Sequence, residues 1–127
     1  LDWMTYLFWA LVLLFAYRMF RPIKGLTSLS PAEVEERLSR QQGQKPHFID
    51  VREAHEYNGG HIRGFYNIPL SQLSARMHEL SADRPIILTC QSGMRSRRAA
   101  QILLGKGFSQ VSHLKTGVSG WKGKLER

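Results

Sequence analysis

The sequence predicts an α/β domain with a mainly parallel sheet, preceded by one transmembrane helix. Three observations predict it. From residue 30 onward, short apolar runs alternate with stretches of helical spacing, the pattern of a chain that lays strands side by side with helices between them. The run "PIILT" (Pro85 to Thr89) is almost continuously apolar, which suits a strand covered on both faces. The segment "WMTYLFWALVLLFAYRMF" (Trp3 to Phe20) carries no charge until Arg18 and is apolar on every side, unlike a helix that buries one stripe in a soluble core. The resulting division is residues 1–21 as transmembrane helix, 22–29 as linker and 30–127 as the folded domain.

The first element is long enough to cross a bilayer. Its residues rise ~1.5 Å each and together span roughly 27 Å, close to the hydrocarbon thickness. A cleaved signal peptide would want a basic leader, whereas Asp2 precedes the run and no small-residue cleavage site comes after it. An interfacial helix would need a polar face, which is lacking. Arg18, Arg21 and Lys24 sit on the C-terminal flank, so the positive-inside bias predicts an outside N-terminus and a cytoplasmic domain. Residue 1 is Leu, and this orientation requires that no basic residues precede it.

After the linker "PIKGLTSL", Ser30-Pro31-Ala32-Glu33 starts a helix: Ser30 caps it, Pro31 suits its first turn and Glu33 completes a capping box. Val34 and Leu38 supply the apolar side, and Gly43 is the expected stop. "HFIDV" (His47 to Val51) reads as a buried strand, "REAHEYNGGH" as an irregular turn, and "FYNIP" (Phe65 to Pro69) as a strand stopped by its proline. Ser71 to Leu80 has helical spacing through Leu73, Met77 and Leu80. "PIILTC" is a β-rich run. A helix over roughly Arg95 to Leu104 comes next, then a last strand "QVSHL" (Gln110 to Leu114) and a loop with at most a short helix, "GVSGWKGKL".

Composition limits the chemistry. The formal net charge of +8 admits nucleic acid, anionic lipid or a small anionic substrate as partners. Basic patches interleaved with aromatics are missing, which argues against nucleic acid. The one cysteine, Cys90, cannot form an internal disulfide, and a reducing compartment is its easier home. The five histidines show no metal-ligand spacing and read as structural or surface residues, so no metal or other cofactor is expected.

Most lone cysteines are small buried hydrophobes. Cys90 differs in its C-terminal neighbours: Gln91-Ser92-Gly93-Met94-Arg95 leads from the end of a strand into a helix, where α/β sheets place their ligands. If the backbone curls above the sulfur, the amides of Gln91 through Ser96 converge there with the helix N-terminus, and both favour an anion. Cys90 would then act as a thiolate nucleophile. Gly93 permits the tight turn, and Arg95 is placed to fold over the rim and grip an oxyanion with both arms. Arg97 and Arg98 read as a solvated helix face.

"CQSGMRS" resembles the active-site loop of single-domain rhodaneses, the thiosulfate-type sulfurtransferases. "FIDVRE" (Phe48 to Glu53), "GHIRGFYNIPL" (Gly60 to Leu70) and "LKTGVSGWK" (Leu114 to Lys122) resemble the same family in the same order, covering residues 28 to 122 or nearly so. The resemblance implies a rhodanese-like fold with a five-stranded, mainly parallel sheet flanked by helices, and catalysis through a cysteine persulfide. It maps the nucleophile to Cys90 and the loop to Gln91, Ser92, Gly93, Met94 and Arg95, with Asp50 and Arg52 as charged supports; Ser96, whose amide belongs to the converging set, completes the expected substrate-binding residues. It also implies a small anionic sulfur donor such as thiosulfate and a thiol or cyanide acceptor. Related phosphatases of this fold carry a loop one residue longer, so six residues from Cys90 to Arg95 suit sulfur. Two positions depart from the family pattern: Thr116 stands where the first of two glycines is usual, and Phe65 replaces a small residue. A rhodanese-like binding module and a persulfide sensor, both membrane-tethered, are the rival readings.

Overall fold

The computed structural model describes residues 2–40 and 42–127. Among these, five strands form one sheet: β1 (Leu26–Leu29), β2 (His47–Asp50), β3 (Tyr66–Asn67), β4 (Ile86–Thr89) and β5 (Val111–Leu114). Their order is β1-β5-β4-β2-β3, and every neighbouring pair is parallel. β4 is therefore the central strand, and Cys90 comes directly after its last residue. The helices are α1 (Trp3–Phe20), α2 (Pro31–Ser39), α3 (Ala54–Asn58), α4 (Leu73–Arg76) and α5 (Met94–Gly105). Short 3-10 turns flank α4 at Leu70–Gln72 and Met77–Glu79, and another lies at Val118–Gly120.

The apolar run of β4 is explained by two cores. Ile86 and Leu88 face one cluster with Ile49, Leu73, Ala99, Ala100 and Leu103, while Ile87 faces the other with Leu29, Val34, Phe48, Phe65 and Leu114. Alternate side chains of one strand thus serve opposite layers, so no position on β4 is free to be polar until its end. Phe65, the large residue at a position where the resembled family has a small one, is buried in the second core and packs edge-to-face on Phe48, with ring centroids 5.4 Å apart.

Several boundaries differ from the sequence reading. Half of the segment read as linker is strand β1, which pairs with β5 from Leu26↔Val111 to Leu29↔Leu114. An edge strand needs burial on little of its surface, and only Leu29 of β1 is buried. The capping box at Ser30 forms as expected, with the Glu33 N–H donating to Ser30 Oγ at 3.2 Å and the Ser30 N–H to Glu33 Oε1 at 3.0 Å. α2, however, ends at Ser39, ahead of Gly43, whose positive φ of 86° turns the chain toward β2. The supposed irregular turn after β2 contains α3, started by the Glu53 N–H donating to Glu56 Oε1 at 3.1 Å. The expected helix from Ser71 to Leu80 is α4 with its two 3-10 turns, and β3 is only two residues long.

α1 is one continuous helix, capped where Asp2 accepts from the Thr5 N–H at 3.0 Å, and none of its residues is buried. It is long and apolar enough to cross a membrane. Its far end is held: Arg97 Nη2 on α5 donates to the carbonyls of Met19 at 3.0 Å and Arg21 at 2.7 Å. Arg97, solvated in the sequence reading, instead satisfies carbonyls that a helix C-terminus leaves without intrahelical partners.

Candidate active site

The site is built where β4 hands the chain to α5. Gly93 makes the turn at φ 101°, and a Cβ there would collide with the Lys115 carbonyl oxygen, so both conformation and space demand glycine. This turn brings the Gly93 N–H onto Cys90 Sγ at 3.0 Å. The sulfur itself lies deep, with Cys90 only 1% exposed. Gln91, Ser92 and Met94 of the same loop are exposed, and the first-turn amides of α5 have no intrahelical acceptor.

The segment after β5 braces the loop from outside. The Val118 N–H donates to the Cys90 carbonyl at 2.8 Å and the Ser119 N–H to the Gln91 carbonyl at 3.0 Å. Gly117, at φ 67°, permits this approach, since a Cβ would press on the backbone of Gln91 and Cys90. Thr116 is exposed. The glycine that the close approach requires is therefore kept, and the departure from the family pattern falls beside it.

Asp50 and Arg52 support the loop from the β2 side. Both are buried, and the pair closes through Arg52 Nη2 to Asp50 Oδ2 at 2.8 Å and Arg52 Nε to both carboxylate oxygens at 3.1 Å. The guanidinium also donates to the Gly60 carbonyl at 2.8 Å and to Gln91 Oε1 at 3.3 Å. One guanidinium thus links β2, the chain before β3 and the loop. Asn67 on β3 adds donations to the Asp50 and Arg52 carbonyls at 2.9 and 2.8 Å.

The Arg95 guanidinium is engaged by a carboxylate of α3. Its Nη1 and Nη2 donate to Glu56 Oε1 and Oε2 at 2.7 and 2.9 Å, a bidentate pair across the mouth of the site. The Arg95 hydrogen bonds hold the Glu56 carboxyl down at about 2, and Glu56 in turn raises the Arg95 guanidinium. Glu56 is invisible as a site residue in the sequence, because the stretch that forms α3 reads there as an irregular turn.

A second residue missing from the sequence reading is His113, near the C-terminal end of β5 beside β4. Its Nδ1 lies 2.7 Å from Ser96 Oγ, and Ser96 Oγ lies 3.6 Å from Cys90 Sγ and 3.1 Å from the Gly93 carbonyl oxygen. Burial, reinforced by the charges of Arg97 and Lys115, pushes the His113 imidazole down to about 4, so it is neutral near neutral pH. Its position toward a strand end, next to the strand that carries Cys90, is the one signal the sequence offers. Among the described residues, no group of three His, Cys, Asp or Glu side chains could hold a metal ion.

The loop therefore brings together Cys90, Gly93 and Ser96 by direct contact, joins Gln91 to Asp50 through Arg52, and turns Arg95 to Glu56. An open groove of about 700 Å³ is lined by residues 37–40, 42–46 and 85, at the opposite, N-terminal ends of β2 and β4. Cys90 has no part in it.

Comparison with known proteins bears on this geometry. The family profile of the rhodanese-like domain matches residues 30–124. The chain is similar to the uncharacterized protein YqhL of Bacillus subtilis, at 49% identity over 65% of this chain and 65% of that protein. It is also similar to the thiosulfate sulfurtransferase GlpE of Shewanella oneidensis, at 29% identity over 76% of this chain and 95% of that protein. Among solved structures, a thiosulfate sulfurtransferase from Pseudomonas aeruginosa superposes with a TM-score of 0.71 at 29% identity, covering 80% of this chain and 20% of that one. The match thus spans just under two thirds of the Bacillus relative and a fifth of the Pseudomonas chain.

Proposed function

The chain belongs to the rhodanese-like domain family, and from that premise we propose that it is a membrane-anchored sulfurtransferase working through a persulfide on Cys90. The observation that carries this reading is the Gly93 N–H seated 3.0 Å from Cys90 Sγ, at the start of α5, where an anionic sulfur is stabilised. In the first half-reaction the Cys90 thiolate attacks the outer sulfur of a donor such as thiosulfate. An S–S bond forms to Sγ, the donor's S–S bond breaks, and the electron pair leaves with sulfite. In the second, a thiol or cyanide anion takes the outer sulfur and returns the thiolate. No cofactor enters either step. The loop amides stabilise charge in both steps, and Gln91, Ser92 and Met94 line the entrance. Arg95 adds positive charge at the mouth while paired to Glu56.

Two half-reactions predict ping-pong kinetics, and mass spectrometry after thiosulfate treatment is the direct test. Cys90 should gain ~32 Da, about one sulfur atom, and lose it to a thiol. A folded Cys90→Ala variant that keeps most of the transfer activity would overturn the assignment.

A second reading, a binding or persulfide-sensing module with slow turnover, draws on two observations: Cys90 is almost fully buried, and Glu56 occupies Arg95. A Cys90 adduct that forms but is not discharged by thiols would select it.

The anchor is α1, crossing once with its N-terminus outside and the domain cytoplasmic. Its length, its lack of buried residues and its basic C-terminal flank support this. Protease protection in sealed vesicles tests the orientation; a protected C-terminal domain when the cytoplasmic side is exposed would reverse it.

A further inference from the structure

Beneath the sulfur runs a connected set of side chains that the two half-reactions of sulfur transfer leave unused. Ser96 is fully buried and His113 is 2% exposed. His113 reaches Ser96 Oγ with Nδ1 at 2.7 Å and Ser28 Oγ with Nε2 at 3.4 Å. Ser28 lies on the edge strand β1 and is exposed to solvent. A path of hydroxyl, imidazole and hydroxyl therefore leads from the buried Cys90 Sγ to the surface, crossing the sheet from β4 through β5 to β1.

We propose that His113 is a positioning residue for the sulfur: its neutral ring orients the Ser96 hydroxyl onto Cys90 Sγ and passes the thiol proton out to Ser28. This rests on the reading of Cys90 as the nucleophile. In the thiol state Sγ–H donates to Ser96 Oγ, the Ser96 hydroxyl to Nδ1, and Nε2–H to Ser28 Oγ. In the thiolate state every bond reverses. Ser28 donates to Nε2, Nδ1–H donates to Ser96 Oγ, and the Ser96 hydroxyl donates to the sulfur anion. Between the states, the proton of Cys90 moves to Ser96, that of Ser96 to Nδ1, that of Nε2 to Ser28, and the original Ser28 proton to water. One proton leaves, and the ring changes only its tautomer.

The surroundings favour that neutral route. Arg97 on α5 and Lys115 just beyond β5 both oppose a positive charge on the ring. Among the described residues, the ring nitrogens meet only Ser96 and Ser28, so no carboxylate is hydrogen-bonded to the ring to stabilise imidazolium. Ser96 has a competing acceptor in the Gly93 carbonyl at 3.1 Å. An Nδ1–H donor leaves the serine's own proton to choose between that carbonyl and the sulfur, and the negative sulfur is the stronger acceptor. The Gly93 N–H would then hold the anion from the loop and Ser96 from α5.

The test measures the rate of Cys90 alkylation by iodoacetamide against pH, together with the ultraviolet absorbance of the thiolate, in the full chain. His113→Leu should move the midpoint of both curves upward and slow alkylation at neutral pH about 10-fold, the change expected for one lost hydrogen bond to an anion. Ser96→Ala should produce the same shift, and His113→Asn, whose amide N–H can still reach Ser96, should recover most of it. Wild-type midpoints in folded His113→Leu or folded Ser96→Ala would overturn the proposal. Alkylation does not require sulfur transfer. A shifted midpoint in a protein that never forms a persulfide would therefore sink the sulfurtransferase reading and leave this role of His113 standing.

Discussion

Two arginine–carboxylate pairs flank the loop that carries Cys90, and they differ in almost everything but chemistry. Arg52 and Asp50 have side chains 4% and 0% exposed and lie at the end of β2, with every arm of the guanidinium assigned to a fixed acceptor. Arg95 and Glu56 are 35% and 25% exposed and join α5 to α3 across the mouth. The buried pair is scaffold: removing one member strands the other charge in a dry interior. The outer pair is solvated and contributes little to stability; under the proposed reaction it stands where an anionic donor would pass and would compete with that donor for Arg95.

The largest effect should come from breaking the inner pair. Asp50→Ala or Arg52→Ala is expected to cost about 3–5 kcal/mol in urea unfolding, the range for an orphaned buried charge. A loss below ~1 kcal/mol would show that Arg52 and Asp50 relax to water when separated. The outer pair should respond the opposite way. Arg95→Ala is expected to leave unfolding within ~1 kcal/mol of the parent while lowering kcat/KM for an anionic donor about 10-fold. Glu56→Gln frees Arg95 and should lower KM for thiosulfate several-fold; a raised KM would mean that Glu56 positions Arg95 for the substrate rather than competing for it.

Acid sensitivity separates the outer pair from the buried histidines. Glu56 falls from 4.5 in the unfolded chain to about 2 in the fold, so its contribution is complete above 4.5 and is lost as pH falls from there toward 2. His113 falls from 6.5 to about 4, so the unfolded chain takes up that proton first and stability declines as pH drops from 6.5 toward 4. His47, also lowered by burial, acts in the same direction. In unfolding measured from pH 7 to 3, His113→Leu should flatten the upper part of the decline, and Glu56→Gln should have a smaller effect, confined to below 4.5, because its pair is solvated. Unchanged slopes would place the responsible groups elsewhere.

The same contrast explains how much is legible in the sequence. β2, β4, β5 and α5 announce themselves through sustained apolar runs or helical spacing, and the turn at Gly93 is implied by residue type. The inner pair enters the sequence reading only through the resemblance of "FIDVRE", since no spacing or periodicity singles out Asp50 and Arg52. The outer pair is not legible, because α3 has five residues, too few for a periodic signal, and Glu56 meets Arg95 across a sequence separation of 39 positions that only folding closes. β1 hides as a linker since Thr27 and Ser28 are exposed on a sheet edge. Arg97 and His113 owe their partners to tertiary placement, of α1 against α5 and of β5 beside β4, which no local pattern records.

Held between these two pairs, the loop is proposed to make Cys90 a carrier of sulfur. Mass spectrometry of the full chain after exposure to thiosulfate, then to a small thiol, tests this most directly. The expected result is a gain of ~32 Da confined to Cys90, about one sulfur atom, and then its complete loss to the thiol. A folded protein whose Cys90 stays unmodified in thiosulfate and in other sulfane donors would contradict it.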